Sequence, residues 1–240
     1  MDTPVHVTFA LDADRHVHGV LYASASQPAI ATFVLAHGAG APQSHPFIVG
    51  VAHGLASRGC DVVTFNFPYM EARRKLPDAG PVLEACYAAV VRQVRASTRV
   101  VGQPMVIGGK SMGGRIASQV VARDPETAAA VSALVFLGYP LHPPGKTDGS
   151  PRSRHLPDVR KPMLFVQGSR DAFGTPAELE PIIRTLVPRP TLIVVDGGDH
   201  SFSTPKTKGK DPRLALEPIL DAVARWIRGT TNLQPATCNL

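Results

Sequence analysis

Apolar residues along this chain fall into blocks of two kinds that take turns. Near-continuous runs recur at Ile30–Ala36, Asp61–Phe67, Met105–Ile107, Ser132–Leu137, Pro162–Gln167 and Thr191–Val195. Runs this short, apolar on both faces, predict strands buried in a parallel sheet. Between them the apolar positions step at helical intervals. One such stretch is about Pro46–Ser57, closed by Gly59; another is Pro81–Arg95, with Val82, Ala85, Cys86, Ala89, Val90 and Val94 on one side. A third follows Ser111, with Ile116, Val120 and Val121. Thr175–Leu186 is the fourth, capped by Thr175 with Pro176 at its first position, and Pro212–Arg228 is the last, carrying Trp226 and stopping at Gly229. Only the beginning differs. Val5–Leu11 and Val17–Tyr22 alternate apolar and polar residues around Asp12-Ala13-Asp14, the pattern of an antiparallel hairpin. Tyr69–Gly80 and Leu141–Arg160 carry no period and read as loops.

This alternation predicts an α/β fold: a doubly wound, mostly parallel sheet with antiparallel N-terminal strands. No repeat or linker interrupts it, so residues 1–229 read as one domain, followed by a tail over 230–240. Ligand sites in such sheets lie beyond the carboxyl ends of the strands. His37, Ser111, Tyr139, Asp171 and His200 each stand just after a predicted strand.

The most informative stretch is Gln103–Arg123, QPMVIGGKSMGGRIASQVVAR. Gly109, Ser111 and Gly113 form G-x-S-x-G between a strand and a helix, the signature of a nucleophile elbow. The Gly-Lys-Ser within it also resembles the end of a phosphate-binding loop. That loop requires glycine at position 104, where this chain has Pro104, and an irregular arc where this chain has Met-Val-Ile. The elbow is the reading that fits.

A serine hydroxyl needs a base, and the base needs a group that fixes its tautomer. The order Ser111, Asp171, His200 matches that of hydrolases built on such elbows. Asp196 is an alternative acid, whereas Asp199 adjoins His200 too closely to pair with its ring. Anion stabilisation at a substrate carbonyl calls for backbone N–H groups. Met112 follows the nucleophile, and the loop His37-Gly38-Ala39-Gly40 offers a second donor, assigned to Ala39, with His37 bracing the loop. His37, Lys110, Tyr139 and His142 are pocket candidates. Lys110 would face an acidic group on the substrate or solvent.

Composition narrows the function classes. Hydrophobic residues make up 44% and charged residues 18%, with a net charge of +6 concentrated partly in Arg73-Arg74-Lys75 and in Lys206, Lys208 and Lys210. These clusters read as solvated loops; no aromatic residues interleave with them as a nucleic-acid platform would require. No apolar stretch reaches membrane-spanning length, and the N-terminus lacks a signal-peptide pattern. Cys60, Cys86 and Cys238 are odd in number and far apart, as for reduced thiols in a cytoplasm. His37, His45 and His53 lack metal-ligand spacing, so neither a metal nor an organic cofactor is expected.

The segments HGAGAP, FNFPY, GGKSMGGR, LGYPLHPPGK, QGSRDAFG and GDHSF, spread over Phe33–Phe202, resemble the α/β-hydrolase superfamily. Within it they look like the small, lidless branch similar to dienelactone hydrolases, and most of all a bacterial hydrolase-like group carrying GGKSMGGR and LGYPLHPPGK. Dienelactone hydrolases use cysteine where this chain has Ser111, which points away from lactone chemistry. The resemblance implies a cytoplasmic serine hydrolase that cleaves small carboxylic esters or thioesters without a cofactor. The segment between the Ser132 and Pro162 strands is too short for a large cap. The competing expectation is a protein-interaction module on the same fold with little turnover, since related eukaryotic proteins include apparently non-catalytic members of chromatin complexes. Nucleic acid and membrane are not expected partners; a homodimer is an open alternative.

Overall fold

A computed structural model describes residues 3–145, 151–205 and 213–231. Lys206, Lys208, Lys210, Cys238 and the segment 232–240 lie outside the described residues. The strands are β1 (Val5–Ala10), β2 (His16–Tyr22), β3 (Ala31–Ala36), β4 (Cys60–Phe65), β5 (Met105–Lys110), β6 (Ala133–Leu137), β7 (Met163–Gly168) and β8 (Thr191–Val195). The helices are α1 (Pro46–Ala56), α2 (Pro68–Glu71), α3 (Gly80–Ala96), α4 (Met112–Arg123), α5 (Pro125–Ala130), α6 (Pro176–Thr185) and α7 (Arg213–Thr231).

The eight strands form one sheet in the order β1-β2-β4-β3-β5-β6-β7-β8. β1 pairs antiparallel with β2 and β2 with β4; every other pairing is parallel. The hairpin is thus an antiparallel extension of a doubly wound parallel sheet. Successive residues of the central strands point to opposite faces, and each face has its own core. Ile107, Phe136 and Phe165 pack with Val90, Val94, Ile116 and Val120 from α3 and α4. Val106, Val135 and Leu164 pack with Leu55, Leu220 and Val223 from α1 and α7. Both faces are covered, which is why these strands read as continuous apolar runs.

Three local outcomes differ from the sequence reading. The stretch Tyr69–Gly80 contains the end of a short helix, α2, and its Tyr69 is fully buried. A further helix, α5, follows Asp124, whose side chain caps it by accepting from the Glu126 N–H. Finally, α7 runs through Gly229 to Thr231, where the Thr231 hydroxyl donates to the Ile227 carbonyl. Gly229 does not stop the helix, because a glycine ends one only where the chain turns left-handed. Between β6 and β7 the described residues hold only two short 3-10 turns, Pro151–Ser153 and Leu156–Asp158. Among the described residues no large cap domain covers the carboxyl edge of the sheet.

Candidate active site

The elbow is built by close backbone approach. A Cβ on Gly109 would lie 2.3 Å from the Ala36 carbonyl oxygen, and one on Gly113 would lie 2.6 Å from the oxygens of both Ala36 and His37. Real Cβ atoms do not come that close to an oxygen, so a side chain at Gly109 would push β5 from β3, and one at Gly113 would push α4 from β3. Ser111 itself adopts φ 51°, ψ −116°, a strained conformation for a residue with a side chain. Its N–H donates to the Leu137 carbonyl at 3.1 Å, tying the turn to β6. Beneath it, the buried Tyr87 hydroxyl lies 2.8 Å from the Val34 oxygen and 2.7 Å from the Gly108 oxygen, and accepts the Gly108 N–H at 3.0 Å.

Ser111, His200 and Asp171 come together at the carboxyl edge. His200 Nε2 lies 2.9 Å from Ser111 Oγ, and His200 Nδ1 lies 2.7 Å from Asp171 Oδ2. The carboxylate can only accept at Nδ1, so that nitrogen carries the proton and Nε2 is left to accept from the serine hydroxyl. Asp171 is fully buried, and three donors converge on it: His200 Nδ1, Gln167 Nε2 at 2.9 Å and the Phe173 N–H at 2.8 Å. Phe173 also lays its ring against the imidazole, centroid to centroid 4.3 Å. The alternative acid, Asp196, forms no hydrogen bond or ion pair with His200 among the described residues.

His37 is fully buried and bridges two backbones. Nδ1 lies 2.8 Å from the Gly38 carbonyl oxygen, and Nε2 accepts the Phe67 N–H at 3.1 Å. Only a neutral ring protonated at Nδ1 satisfies both bonds, and burial pushes the imidazolium pKa down to about 4. The Ala39 and Met112 N–H groups have no hydrogen-bond partner among the described residues. Met112 opens α4, where backbone donors have no acceptor within the helix.

The other pocket candidates are placed differently from the expectation. Tyr139 is fully buried; its N–H donates to Gln167 Oε1 and its hydroxyl to the Arg152 carbonyl. His142 is buried as well. It donates its N–H to the Phe173 carbonyl, while Nε2 meets Glu178 Oε1 at 3.0 Å and Nδ1 the Pro143 oxygen at 2.9 Å. It clasps the turn after β6 to the segment that carries Phe173. Lys110 turns inward and donates to the His200 carbonyl at 2.6 Å, away from any substrate acid. All three placements have one cause: the strand-end loops pack on one another.

Two contributors escaped the sequence reading. Gln167, within QGSRD, holds the Asp171 carboxylate and also donates to the Gly174 carbonyl at 2.6 Å. Asp199 shapes the base loop: its Oδ1 accepts the N–H groups of Ser201 at 2.8 Å and Ser203 at 3.0 Å. An aspartate followed by two serines is a signal for such a side-chain-closed turn. Among the described residues no group of three or more His, Cys, Asp or Glu is arranged to hold a metal ion, and no helix is long and apolar enough to cross a membrane. Cys60 and Cys86 are free and buried, their thiols pushed up to about 12 by desolvation.

The alpha/beta hydrolase domain family matches residues 29–228. The chain belongs to that family. Among solved structures it is similar to a dienelactone hydrolase from Anabaena variabilis, with a TM-score of 0.74 and 19% identity over 95% of this chain and 98% of that one. An α/β serine hydrolase homologue from Coxiella burnetii gives a TM-score of 0.68 and 16% identity, covering 96% and 97% of the two chains. A serine hydrolase without a lid from Xanthomonas campestris gives a TM-score of 0.65 and 20% identity, covering 98% and 96%. At these identities the likeness concerns the fold: a small α/β-hydrolase with no large cap.

Proposed function

We propose that this α/β-hydrolase is a serine hydrolase acting on small carboxylic esters or thioesters. The observation that carries the reading is the unbroken relay from Ser111 Oγ through His200 to Asp171, with both hydrogen bonds under 3 Å. Ser111 Oγ attacks the acyl carbon while His200 Nε2 takes its proton. Asp171 orients the imidazole and stabilises its positive form. His200 then returns the proton to the departing alcohol or thiol, leaving an acyl group on Ser111. Water, deprotonated by the same nitrogen, releases the acid and restores the serine.

The negative charge that develops on the substrate carbonyl oxygen falls to the N–H groups of Met112 and Ala39. His37 supports this assignment through the planarity of the peptide bond. In the Gly38–Ala39 peptide the C=O and the N–H point in opposite directions. The ring that grips the Gly38 oxygen therefore turns the Ala39 N–H away from itself. Met112 lies next to the nucleophile at the positive end of α4. A site with no large cap among the described residues suits esters with short acyl groups better than buried lipid chains, in keeping with the lidless serine hydrolase to which the chain is similar.

Intact-mass measurement after treatment with a fluorophosphonate probe tests this reading. One adduct per wild-type chain and none on Ser111→Ala is the expected result. A folded wild-type protein that takes no adduct would overturn it.

A further inference from the structure

Lys110 is an expensive residue in its position. Its side chain is half-buried, and among the described residues no carboxylate comes within ion-pair distance of its ammonium. A half-buried cation that forms no ion pair gives up hydration without a direct partner charge, and an aliphatic side chain would fill the same space without that cost. What the ammonium touches is specific. It donates to the main-chain carbonyl of His200 at 2.6 Å and lies 5.7 Å and 5.6 Å from the ring centres of Phe47 and Phe202. Room for it comes from Gly138, where a Cβ would lie 2.8 Å from Lys110 Nζ and 3.3 Å from the His200 ring.

Three elements distant in sequence thus meet at one charge: α1 through Phe47, the turn after β6 through Gly138, and the base loop through His200 and Phe202. The same lysine adjoins Ser111. One end of its residue sits in the elbow and the other holds the loop that carries the base.

We propose that Lys110 is a positioning residue whose ammonium anchors the main chain of His200, and so holds the imidazole against Ser111, and that loss of its proton releases the anchor. The proposal rests on the serine-hydrolase reading of the same site. Charge makes the bond to the carbonyl short and supplies the attraction to the two aromatic faces; a neutral amine keeps an N–H but loses both gains. The titratable groups around it are His200, Asp171 and Asp199; Phe47 and Gly138 add none. Burial lowers the ammonium pKa most, the two aspartates oppose that, and the balance leaves it at about 8. The anchor therefore weakens as pH rises through that value, where a hydrolase governed by its histidine alone would hold a plateau.

The test uses the full chain as wild type, Lys110→Arg and Lys110→Met, with fluorophosphonate labelling rates measured from pH 6 to 10. Wild type should rise with deprotonation of the base and then fall above pH 8. Lys110→Arg, which keeps its charge, should hold its rate to pH 10. Lys110→Met should label about tenfold slower or worse at pH 7, as expected when a reacting group is misplaced, with no fall at high pH. Its melting temperature should not drop, since a half-buried cation has been removed.

A second readout does not depend on activity: the far-downfield proton NMR signal of the His200 Nδ1–H bonded to Asp171, identified by its absence from His200→Ala. That signal should persist in Lys110→Arg and be lost from Lys110→Met. The anchor is overturned if Lys110→Met labels at the wild-type rate, or if Lys110→Arg shows the wild-type fall. Should wild type take no label at any pH, the hydrolase reading fails and the NMR signal decides alone. Its survival in Lys110→Met overturns the anchor and its loss supports it. If Lys110→Met does not fold, the wild-type and Lys110→Arg profiles decide.

Discussion

The two halves of the site are held by different physics. Ser111 is fixed by exclusion: β3, β5 and α4 approach so closely that Gly109 and Gly113 admit no side chain, and the serine is forced into a strained backbone conformation. His200 is fixed by attachment. Its loop hangs on hydrogen bonds accepted by Asp171 and Asp199 and one donated by Lys110, with Phe173 against the ring. Steric exclusion is shared with the core, so disturbing it disturbs folding. Attachments of a surface loop can be cut one at a time, so disturbing them should change rate before stability.

Four changes would break or sharpen that contrast. The largest effect is expected from Asp171→Asn, which leaves the shape of the site but presents an amide to Nδ1 and favours the wrong imidazole tautomer. Ester hydrolysis should fall by about ten-thousandfold while the unfolding midpoint moves little. A fall of less than tenfold would mean that Asp171 does not orient the base.

Gly109→Ala is the counterpart on the other side. A methyl 2.3 Å from the Ala36 oxygen must displace β3 or β5, and we expect a loss of about 3 kcal/mol of unfolding free energy in urea titration. A variant as stable as wild type would show that the elbow is softer than its packing implies.

His37 links the two kinds of restraint, and acid separates them. Its folded pKa, about 4, is below the unfolded value near 6.5. Between those values the unfolded chain binds a proton that the folded chain refuses. Stability is therefore lost as pH falls from 6.5 to 4, by at most about 3 kcal/mol from this residue. Urea midpoints measured across that window should decline more gently in His37→Asn than in wild type; equal slopes would rule His37 out as a contributor.

The smallest effect belongs to Asp199→Ala. It removes an acceptor for two N–H groups of the base loop and should slow hydrolysis about tenfold, the scale of a slightly misplaced group. Unfolding midpoint and wild-type fold should be retained. A large stability loss would place the base loop in the same mechanical class as the elbow.

The same contrast explains what could be read from sequence. The sheet was legible because both faces of β3 to β7 are covered, which forces unbroken apolar runs, and the elbow because steric exclusion demands glycine at fixed spacing. That Ser111, His200 and Asp171 would meet could be expected from strand ends and chain order, and in the fold they lie within hydrogen-bond distance. Attachments are less visible. Asp199 closes a local turn that its following serines signal. Tyr87, by contrast, acts through hydrogen bonds to β3 and β5, distant in sequence, so nothing local in the chain marks it. Lys110 was misread for the same reason: a lysine beside a nucleophile suggests an exposed charge, and only the positions of Phe47, Phe202 and Gly138 turn it inward. Gly229 failed as a stop signal because the backbone there remains helical.

The order in which the chain is made gives Arg58 a further meaning. Its guanidinium, following α1, donates to Asp221 at 2.8 Å and Glu217 at 2.7 Å, both on the last helix. That helix covers the face of the sheet on which Val106, Val135 and Leu164 lie. During synthesis Ser111 is translated 89 residues before His200, and the helix that closes this core comes later still. A ribosome-bound chain thus carries the elbow sequence without the partner that would activate it, its apolar face still waiting for the C-terminal cover. Assembly of Ser111 with His200 is deferred until the β8 loop and the helix behind it have emerged.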